Sequence, residues 1–318
     1  MSKDYKLLVE PYSLTAYFRS ILNISSSFNV INFLLKKSHL SLWELEQRWD
    51  GFDKIFWKDY WNIISALSFA TIIEARWKLL NSIIEKQDNE KNIIIELASW
   101  FTPRWLNQVD NWNNHFIETD KKNVIELKTE FYTYLNSTDK KTPEIKVLDV
   151  LDKQDYKNIY DFIKLEQLKN NKINEITLMS EWLLIYLNKN EQKIFFENLR
   201  NFTKLLKELS IKVKYITIDM PTHENFTNWL VHEDFKLKDH LDVMSKVEPK
   251  ILESLYNTED DFLTSNSISN IKKYYYSDEI IASLKTPKLS KYKKIPNLKE
   301  KINTFLKQDI LFAWETKI

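Results

Sequence analysis

The chain has 318 residues but a single glycine, Gly51, where average usage would supply roughly twenty. Glycine lets backbone amides close around a phosphate, because it has no side chain and adopts left-handed conformations. Walker loops, dinucleotide fingerprints and kinase glycine loops each need several glycines at fixed offsets. The composition therefore predicts a protein without a phosphate cradle and without a nucleotide cofactor.

Cysteine is absent, which excludes disulfides, thiolate nucleophiles and cysteine-ligated metal sites. No apolar run approaches the roughly eighteen residues of a membrane span, and the first residues do not resemble a signal peptide. With a net charge of +1, any contact with nucleic acid must come from a local patch. These absences favour a cytoplasmic protein that does not contact a membrane.

Composition divides the chain into three stretches. Residues 1–135 hold most of the tryptophans and are predicted to be mainly helical; the apolar spacing in 64–84 indicates one helix, and Pro103 is expected to end another near Trp100. At helical spacing, tryptophans are expected to be core rather than a binding surface. Residues 136–238 are predicted to form an α/β sheet core, and 239–318 a basic, tyrosine-rich extension.

The middle stretch alternates strand and helix patterns. Strands are predicted at 144–150, 176–180 and 211–218, with a helix at 154–168 between the first two. A second helix is expected to begin at Asn188, because Glu191 three residues later completes a capping box. This alternation predicts a mainly parallel sheet with right-handed crossovers. The segment 182–186 fits either strand or helix.

Two groups of residues are candidates for binding metal. The acids that could offer hard oxygens to calcium are Glu118, Asp120, Glu126 and Glu130. No EF-hand pattern surrounds them, and a solvated helix face with interleaved lysines is the favoured alternative. Three histidines and several acids between residues 223 and 242 would suit a metal-dependent nuclease, but without an ordered ligand spacing a solvated loop is favoured.

Lysine clusters are the more distinctive charged feature. The candidates for contact with a DNA backbone are Lys36, Lys37, Lys140, Lys141, Lys288, Lys291, Lys293 and Lys294. Lysines in such one-sided runs suit phosphate contact that ignores base sequence. A solvated lysine-rich surface is an equal alternative for the C-terminal run.

Several segments together resemble a CRISPR-associated family, the type II-A spacer-acquisition accessory proteins. Residues 5–14, YKLLVEPYSL, resemble the opening strand of that family. Residues 176–192 are similar to its strand, short loop and helix start, and 229–235, WLVHEDF, to its closing strand. The chain departs from the family by running about eighty residues longer than its short members and by lacking its usual glycines.

The resemblance implies a sheet like that of a P-loop ATPase without its phosphate loop, joined to a large helical portion. It also implies a non-catalytic homotetrameric ring that holds double-stranded DNA ends, with calcium supporting the assembly. Its partners would be the CRISPR integrase complex and the effector nuclease. The competing hypotheses are a metal-dependent nuclease that uses the 223–242 cluster and a protein-interaction module of a mobile element.

Overall fold

A computed structural model describes residues 27–38, 63–87, 91–102, 104, 115–136, 143–170, 173–225, 250–285, 297–308 and 312–318, and the structural statements below concern these residues. The strands are β1 Asn92–Leu97, β2 His115–Asp120, β3 Glu144–Val147, β4 Glu175–Ser180, β5 Lys212–Thr217, β6 Lys272–Tyr275 and β7 Phe312–Lys317. The helices are α1 Ser27–Ser38, α2 Ile63–Glu85, α3 Lys122–Asn136, α4 Lys153–Asn170, α5 Lys189–Glu208, α6 Lys250–Ser254, α7 Glu259–Ser265, α8 Asp278–Ser283 and α9 Leu298–Leu306.

The strands form one seven-stranded sheet in the order β3-β2-β1-β4-β5-β7-β6. β1 to β5 run parallel to one another, and β7 runs antiparallel to both β5 and β6. The predicted α/β fold with a mainly parallel sheet is therefore confirmed. The order 3-2-1-4-5 is that of a doubly wound Rossmann sheet, and nothing in the described sheet supports the closer comparison with a P-loop ATPase.

Helices cover both faces of the sheet. Along β1, Ile94 packs with α2, α8 and α9, while Ile93 and Ile95 pack on the opposite face with α4 and α5, as the alternation of side chains along a strand requires. A third cluster joins α1 and α3 to Phe101, just beyond β1. Burial on both faces is typical of parallel strands. Because β1 to β5 run parallel to one another, their carboxyl ends lie at the same edge of the sheet.

The predicted elements of the middle stretch are confirmed, including the capping box in which Asn188 and Glu191 bond reciprocally at the start of α5. The helix predicted at 64–84 is α2. The ambiguous segment 182–186 contains a 3₁₀ turn, Leu184–Tyr186.

One prediction outside that stretch was wrong. Where a helix ending at Pro103 was expected, β1 forms instead, because a strand buried on both faces has the continuous apolar run Ile93-Ile94-Ile95 and no alternation. The basic, tyrosine-rich stretch contributes β6 and β7 to the same sheet. The division into three domains is not tested and stays a prediction, and the expected opening strand 5–14 lies outside the described residues.

In the part of the chain that the structure describes, no helix combines the length and the apolar character needed to cross a bilayer. The cytoplasmic location stays a prediction.

Candidate functional site

The carboxyl edge of the parallel strands contains the candidate site. In open α/β sheets, ligands bind beyond the carboxyl ends of the strands, where the strand order reverses. Here β1 lies between β2 and β4, so the chain moves outward from β1 in one direction and later in the other. We name this region the switch-point edge; it comprises residues 97–102, 120–121, 148–151 and 180–184.

The turn after β1 has an unusual backbone for its sequence. Ala98 and Trp100 have φ values of 48° and 50°, in the left-handed region that glycine ordinarily occupies. The Ser99 amide donates to the Thr119 carbonyl at 2.8 Å, and the Trp100 amide donates to Asp120 Oδ2 at 2.8 Å. A turn of the kind that glycine-rich loops form is therefore present without glycine.

The side chains of this turn are engaged in core packing. Ala98 packs against the cluster formed with α4 and α5, and Trp100 packs against the cluster formed with α1 and α3. The scarcity of glycine gave no indication of this turn. The available sequence signal was the pair of small residues, Ala98 and Ser99, directly after an apolar run.

Asp120 ends β2 beside this turn and is only 4% exposed. Its Oδ2 accepts from the Trp100 amide and its Oδ1 from the Lys121 amide, both at 2.8 Å. Burial raises the pKa of Asp120 above its ordinary value of 3.8, against the opposing effects of Lys128 and of the two amide bonds. Because each carboxylate oxygen has two lone pairs, each retains one acceptor position for a ligand.

A second carboxylate follows the neighbouring strand. The Leu148 amide donates to the Asp120 carbonyl at 2.8 Å, which places Asp149 next along the edge. Asp149 Oδ1 accepts from the Leu151 amide at 3.1 Å, and Oδ2 lies 3.4 Å from Lys121 Nζ. With its side chain 34% exposed, Asp149 is accessible to a ligand.

A buried ion network spans the region between β1 and β4. Arg104, which is fully buried, donates Nε to Glu96 Oε1 at 3.1 Å and Nη2 to Glu181 Oε2 at 2.8 Å. It also donates to the Asn81 side chain, and its guanidinium carbon lies 4.2 Å from the centre of the Trp77 ring. Residues of β1, α2 and the β4 loop are thereby joined through one guanidinium.

Asp219, which follows β5, fixes the loop after β4. Its carboxylate accepts from the amides of Trp182, Leu183 and Leu184 at 3.1, 2.7 and 3.2 Å. It also accepts from Arg76 Nη2 at 2.6 Å. Trp182, whose φ is 61°, stacks on the Arg76 guanidinium at 4.1 Å. The β4 loop is therefore held by side chains from two other elements.

The four acids proposed as calcium ligands are not brought together. Glu118 is buried and accepts from Lys128 Nζ at 2.6 Å and from the Tyr132 hydroxyl at 2.8 Å. Glu130 pairs with Lys37 across the surface of α1 and α3, and Glu126 is exposed. Among the described residues, no three His, Asp or Glu side chains are grouped to hold a metal ion.

Of the proposed DNA-contacting lysines, only Lys36 and Lys37 lie within the described ranges. Lys36 Nζ lies 5.6 Å from the centre of the Tyr134 ring, and Lys37 Nζ 5.8 Å from that of Phe33. Lys140, Lys141 and the lysines at 288–294 lie outside the described residues, as does the 223–242 cluster beyond residue 225. The predicted DNA contacts of these lysines stay untested.

No family model matches this chain, and no curated protein matches it either. Several solved structures do. A putative O-methyltransferase from Nostoc punctiforme has a TM-score of 0.39 and 8% identity, with 96% of this chain and 97% of that one covered. PigF with SAH has a TM-score of 0.37 and 10% identity, with coverages of 82% and 59%.

A phosphoethanolamine N-methyltransferase from Haemonchus contortus, in complex with S-adenosyl-L-methionine, has a TM-score of 0.36 and 10% identity, with coverages of 77% and 55%. The chain thus spans less than two thirds of the length of PigF and of this enzyme. At these scores and identities the likeness assigns neither activity nor substrate to this chain.

These neighbours correct the family identification made from the sequence. They are methyltransferases and not CRISPR-associated proteins, so the prediction of a non-catalytic DNA-end-binding ring for spacer acquisition was wrong. The expectation of calcium without a nucleotide-derived cofactor was wrong with it, since the neighbours hold SAH or S-adenosyl-L-methionine. The competing nuclease and interaction-module hypotheses gain no support. The expected tetramer and duplex DNA partner are not tested and stay predictions.

Proposed function

We propose that this protein binds S-adenosylmethionine at the switch-point edge and transfers its methyl group to a nucleophilic acceptor. The observation that carries the proposal is the bond between Asp120 and the left-handed turn, whose Trp100 lies twenty residues earlier in the chain. In doubly wound sheets, an acid about twenty residues beyond the first turn binds the ribose of a nucleoside cofactor. This arrangement supports a nucleoside ligand.

The glycine deficit favours this cofactor over a dinucleotide. S-adenosylmethionine contains adenine, ribose and methionine but no phosphate, so its binding requires no glycine-rich phosphate cradle. The single glycine of the chain, Gly51, is not in the turn after β1. An adenosyl ligand without phosphate agrees with both observations: its ribose can bind the acid Asp120, and it needs no glycine-rich loop.

The residues of the edge fit such a ligand. The remaining lone pairs of Asp120 would accept from the two ribose hydroxyls, and the accessible Asp149 would accept from the adenine amino group. Arg76 would hold the methionine carboxylate, because within the described residues its Nε makes no hydrogen bond and has only Glu181 Oε1, at 3.9 Å, as an ionic partner. The side chains of Ala98 and Trp100 are partly buried and pack against the two core clusters.

When bound, S-adenosylmethionine supplies an electrophilic methyl group on a sulfonium sulfur. An acceptor lone pair would form the new bond to the methyl carbon as the sulfur–carbon bond breaks; the electron pair of the broken bond would stay on the sulfur of the departing S-adenosylhomocysteine, and the proton of the acceptor would pass to water. The contribution of this chain is to fix the ligand and acceptor relative to each other, which lowers the barrier of a bimolecular reaction. Asp219 and Arg104 serve this by fixing the loop that follows β4.

Calorimetric titration of the purified protein with S-adenosylhomocysteine tests the proposal. We expect saturable binding at one site per chain and no binding of NAD. Asp120→Ala should weaken the affinity by about tenfold to a hundredfold, since a hydrogen bond to a charged group contributes about 1.5–3 kcal/mol. Glu126→Ala, which removes an exposed carboxylate from α3, is the matched control and should bind like the wild type. A wild-type protein that does not bind S-adenosylhomocysteine would contradict the proposed function.

A further inference from the structure

We propose that Lys128 is a positioning residue, which holds the glycine-free turn through the Ser99 hydroxyl in the shape that the cofactor requires. The inference rests on the proposed function, because it assigns the turn to cofactor binding. Lys128 belongs to α3, contacts the turn through Ser99, and is not among the proposed ligand contacts.

Lys128 is buried between the turn and β2. Its side chain is 1% exposed, and Nζ donates to Ser99 Oγ at 2.7 Å and to Glu118 Oε2 at 2.6 Å. The Tyr132 hydroxyl donates to the same Glu118 oxygen at 2.8 Å. Ser99 is itself 1% exposed. The ammonium therefore bonds the turn to an acid whose own position is fixed by a second donor.

The turn needs such external bonds. A left-handed conformation costs about 1–2 kcal/mol for a residue with a side chain, and Ser99 is flanked by two of them, Ala98 and Trp100. A glycine-containing turn would not carry this cost. Hydrogen bonds from two elements offset the conformational cost of the turn. The Thr119 carbonyl and the Asp120 carboxylate of β2 accept from its amides, and Lys128 of α3 donates to Ser99.

Stability alone does not account for the buried charge. Replacing a buried ion pair with apolar side chains of similar volume is often neutral or stabilising, because taking two charges out of water is costly. An apolar pair at positions 118 and 128 would not bond Ser99. The hydrogen bond from the Lys128 ammonium to Ser99 therefore gives a reason for burying this charge that stability alone does not give.

The Lys128 ammonium also influences the ionisation of Asp120. Burial raises the pKa of Asp120, and Lys128 is the largest influence that opposes this rise. The charge of Lys128 thus favours the ionised form of Asp120, which is the form that accepts from both ribose hydroxyls. The geometry of the turn and the charge state of its neighbouring acid depend on one side chain.

Ser99→Ala is the variant that tests the inference, because it removes the acceptor in the turn and leaves the Lys128–Glu118 pair intact. We expect S-adenosylhomocysteine affinity to fall about fivefold to tenfold and amide hydrogen exchange at Ser99 and Trp100 to accelerate at least fivefold. Lys128→Met should have a larger effect on both. Ser254→Ala is the matched control, since it removes a fully buried hydroxyl whose hydrogen bond within the described residues is to the Ile251 carbonyl of its own helix. It should change neither quantity.

The possible failures are distinguishable. If the wild type binds S-adenosylhomocysteine and Ser99→Ala binds it equally well, the inference is overturned while the proposed function stands. If the wild type does not bind it, the proposed function fails, and exchange rates unaltered by Ser99→Ala would overturn the anchoring of the turn as well. Accelerated exchange together with weakened binding supports the inference.

Discussion

Single residues of the turn after β1 occupy conformations that their side chains disfavour. Backbone strain of this kind persists only where the surrounding structure holds it, and it is found most often at functional sites. Ala98 and Trp100 are held by hydrogen bonds of the Ser99 and Trp100 amides to β2. Of the six non-glycine residues with positive φ in the described part of the chain, Ala98 and Trp100 thus lie in the segment for which we propose a ligand, and Trp182 lies in the loop after β4.

Ala98→Gly should relieve part of this strain. Glycine avoids the left-handed penalty of about 1–2 kcal/mol but loses about 0.5–1 kcal/mol of backbone entropy, so we expect a net stabilisation of roughly 0.5–1 kcal/mol. Urea denaturation measures the free energy of unfolding. Ala75→Gly, at a fully buried position inside α2, is the opposite control and should destabilise by about 1 kcal/mol or more. A destabilised Ala98→Gly variant would show that the turn does not carry the strain.

Asp120 should make cofactor binding depend on pH. Its pKa lies above the ordinary 3.8, chiefly because of burial, so lowering the pH through that raised value protonates the carboxyl and removes an acceptor. We expect S-adenosylhomocysteine affinity to fall as the pH falls through this range. The fall should be much smaller in Asp120→Asn, which lacks the titrating group. If the affinity falls equally in the wild type and in Asp120→Asn, a group other than Asp120 causes the pH dependence.

The same raised pKa has a stability consequence of defined sign. The folded state binds the Asp120 proton more tightly than the unfolded state does, so this stabilising contribution is complete below pH 3.8 and is lost as the pH rises through the raised value. Relative to the wild type, Asp120→Asn should therefore become more stable as the pH rises through this window. The carboxylate is retained at a cost in stability, which is common at functional sites.

Elements were predictable where the sequence shows local periodicity or a capping signal. The start of α5 followed from Asn188 and Glu191 alone, since a capping box is a contact within one turn of helix. β1 was missed because three consecutive isoleucines fit a buried strand and a buried helix equally well. β6 and β7 were missed because they pair with each other across two intervening helices, and such long-range pairing leaves no local signal.

The candidate site was less predictable than the elements that position it. Asp120 was selected for its charge, but the role that we propose for it as a ribose-binding acid depends on β2 lying beside β1, which no local pattern shows. Glu118 was selected for the same reason and instead pairs with the buried Lys128. The glycine count did not predict the left-handed turn after β1, because this turn forms with alanine and tryptophan.

At the scale of the whole molecule, two side chains connect elements that are far apart in sequence. Asp219 joins the ends of β4 and β5 to α2 through Arg76, and its backbone carbonyl accepts from the Trp314 indole of β7 at 2.8 Å. Arg104 joins β1, the β4 loop and α2. Both link the parallel part of the sheet to α2.

Arg104→Met should therefore destabilise the whole fold. It removes the cation that bonds Glu96 and also bonds Glu181 at 2.8 Å, while Arg76 Nε stays 3.9 Å from Glu181, and breaking a buried pair in this way costs about 3–5 kcal/mol. The triple variant Arg104→Met, Glu96→Gln and Glu181→Gln also removes the two buried carboxylates and should recover much of that loss in urea denaturation. Lys157→Met, which breaks an exposed pair with Asp161 on α4, is the control and should cost at most about 0.5 kcal/mol. If Arg104→Met costs no more than this control, the network does not join these elements energetically, and the geometry of the switch-point edge must depend on Asp219 and the backbone bonds to β2.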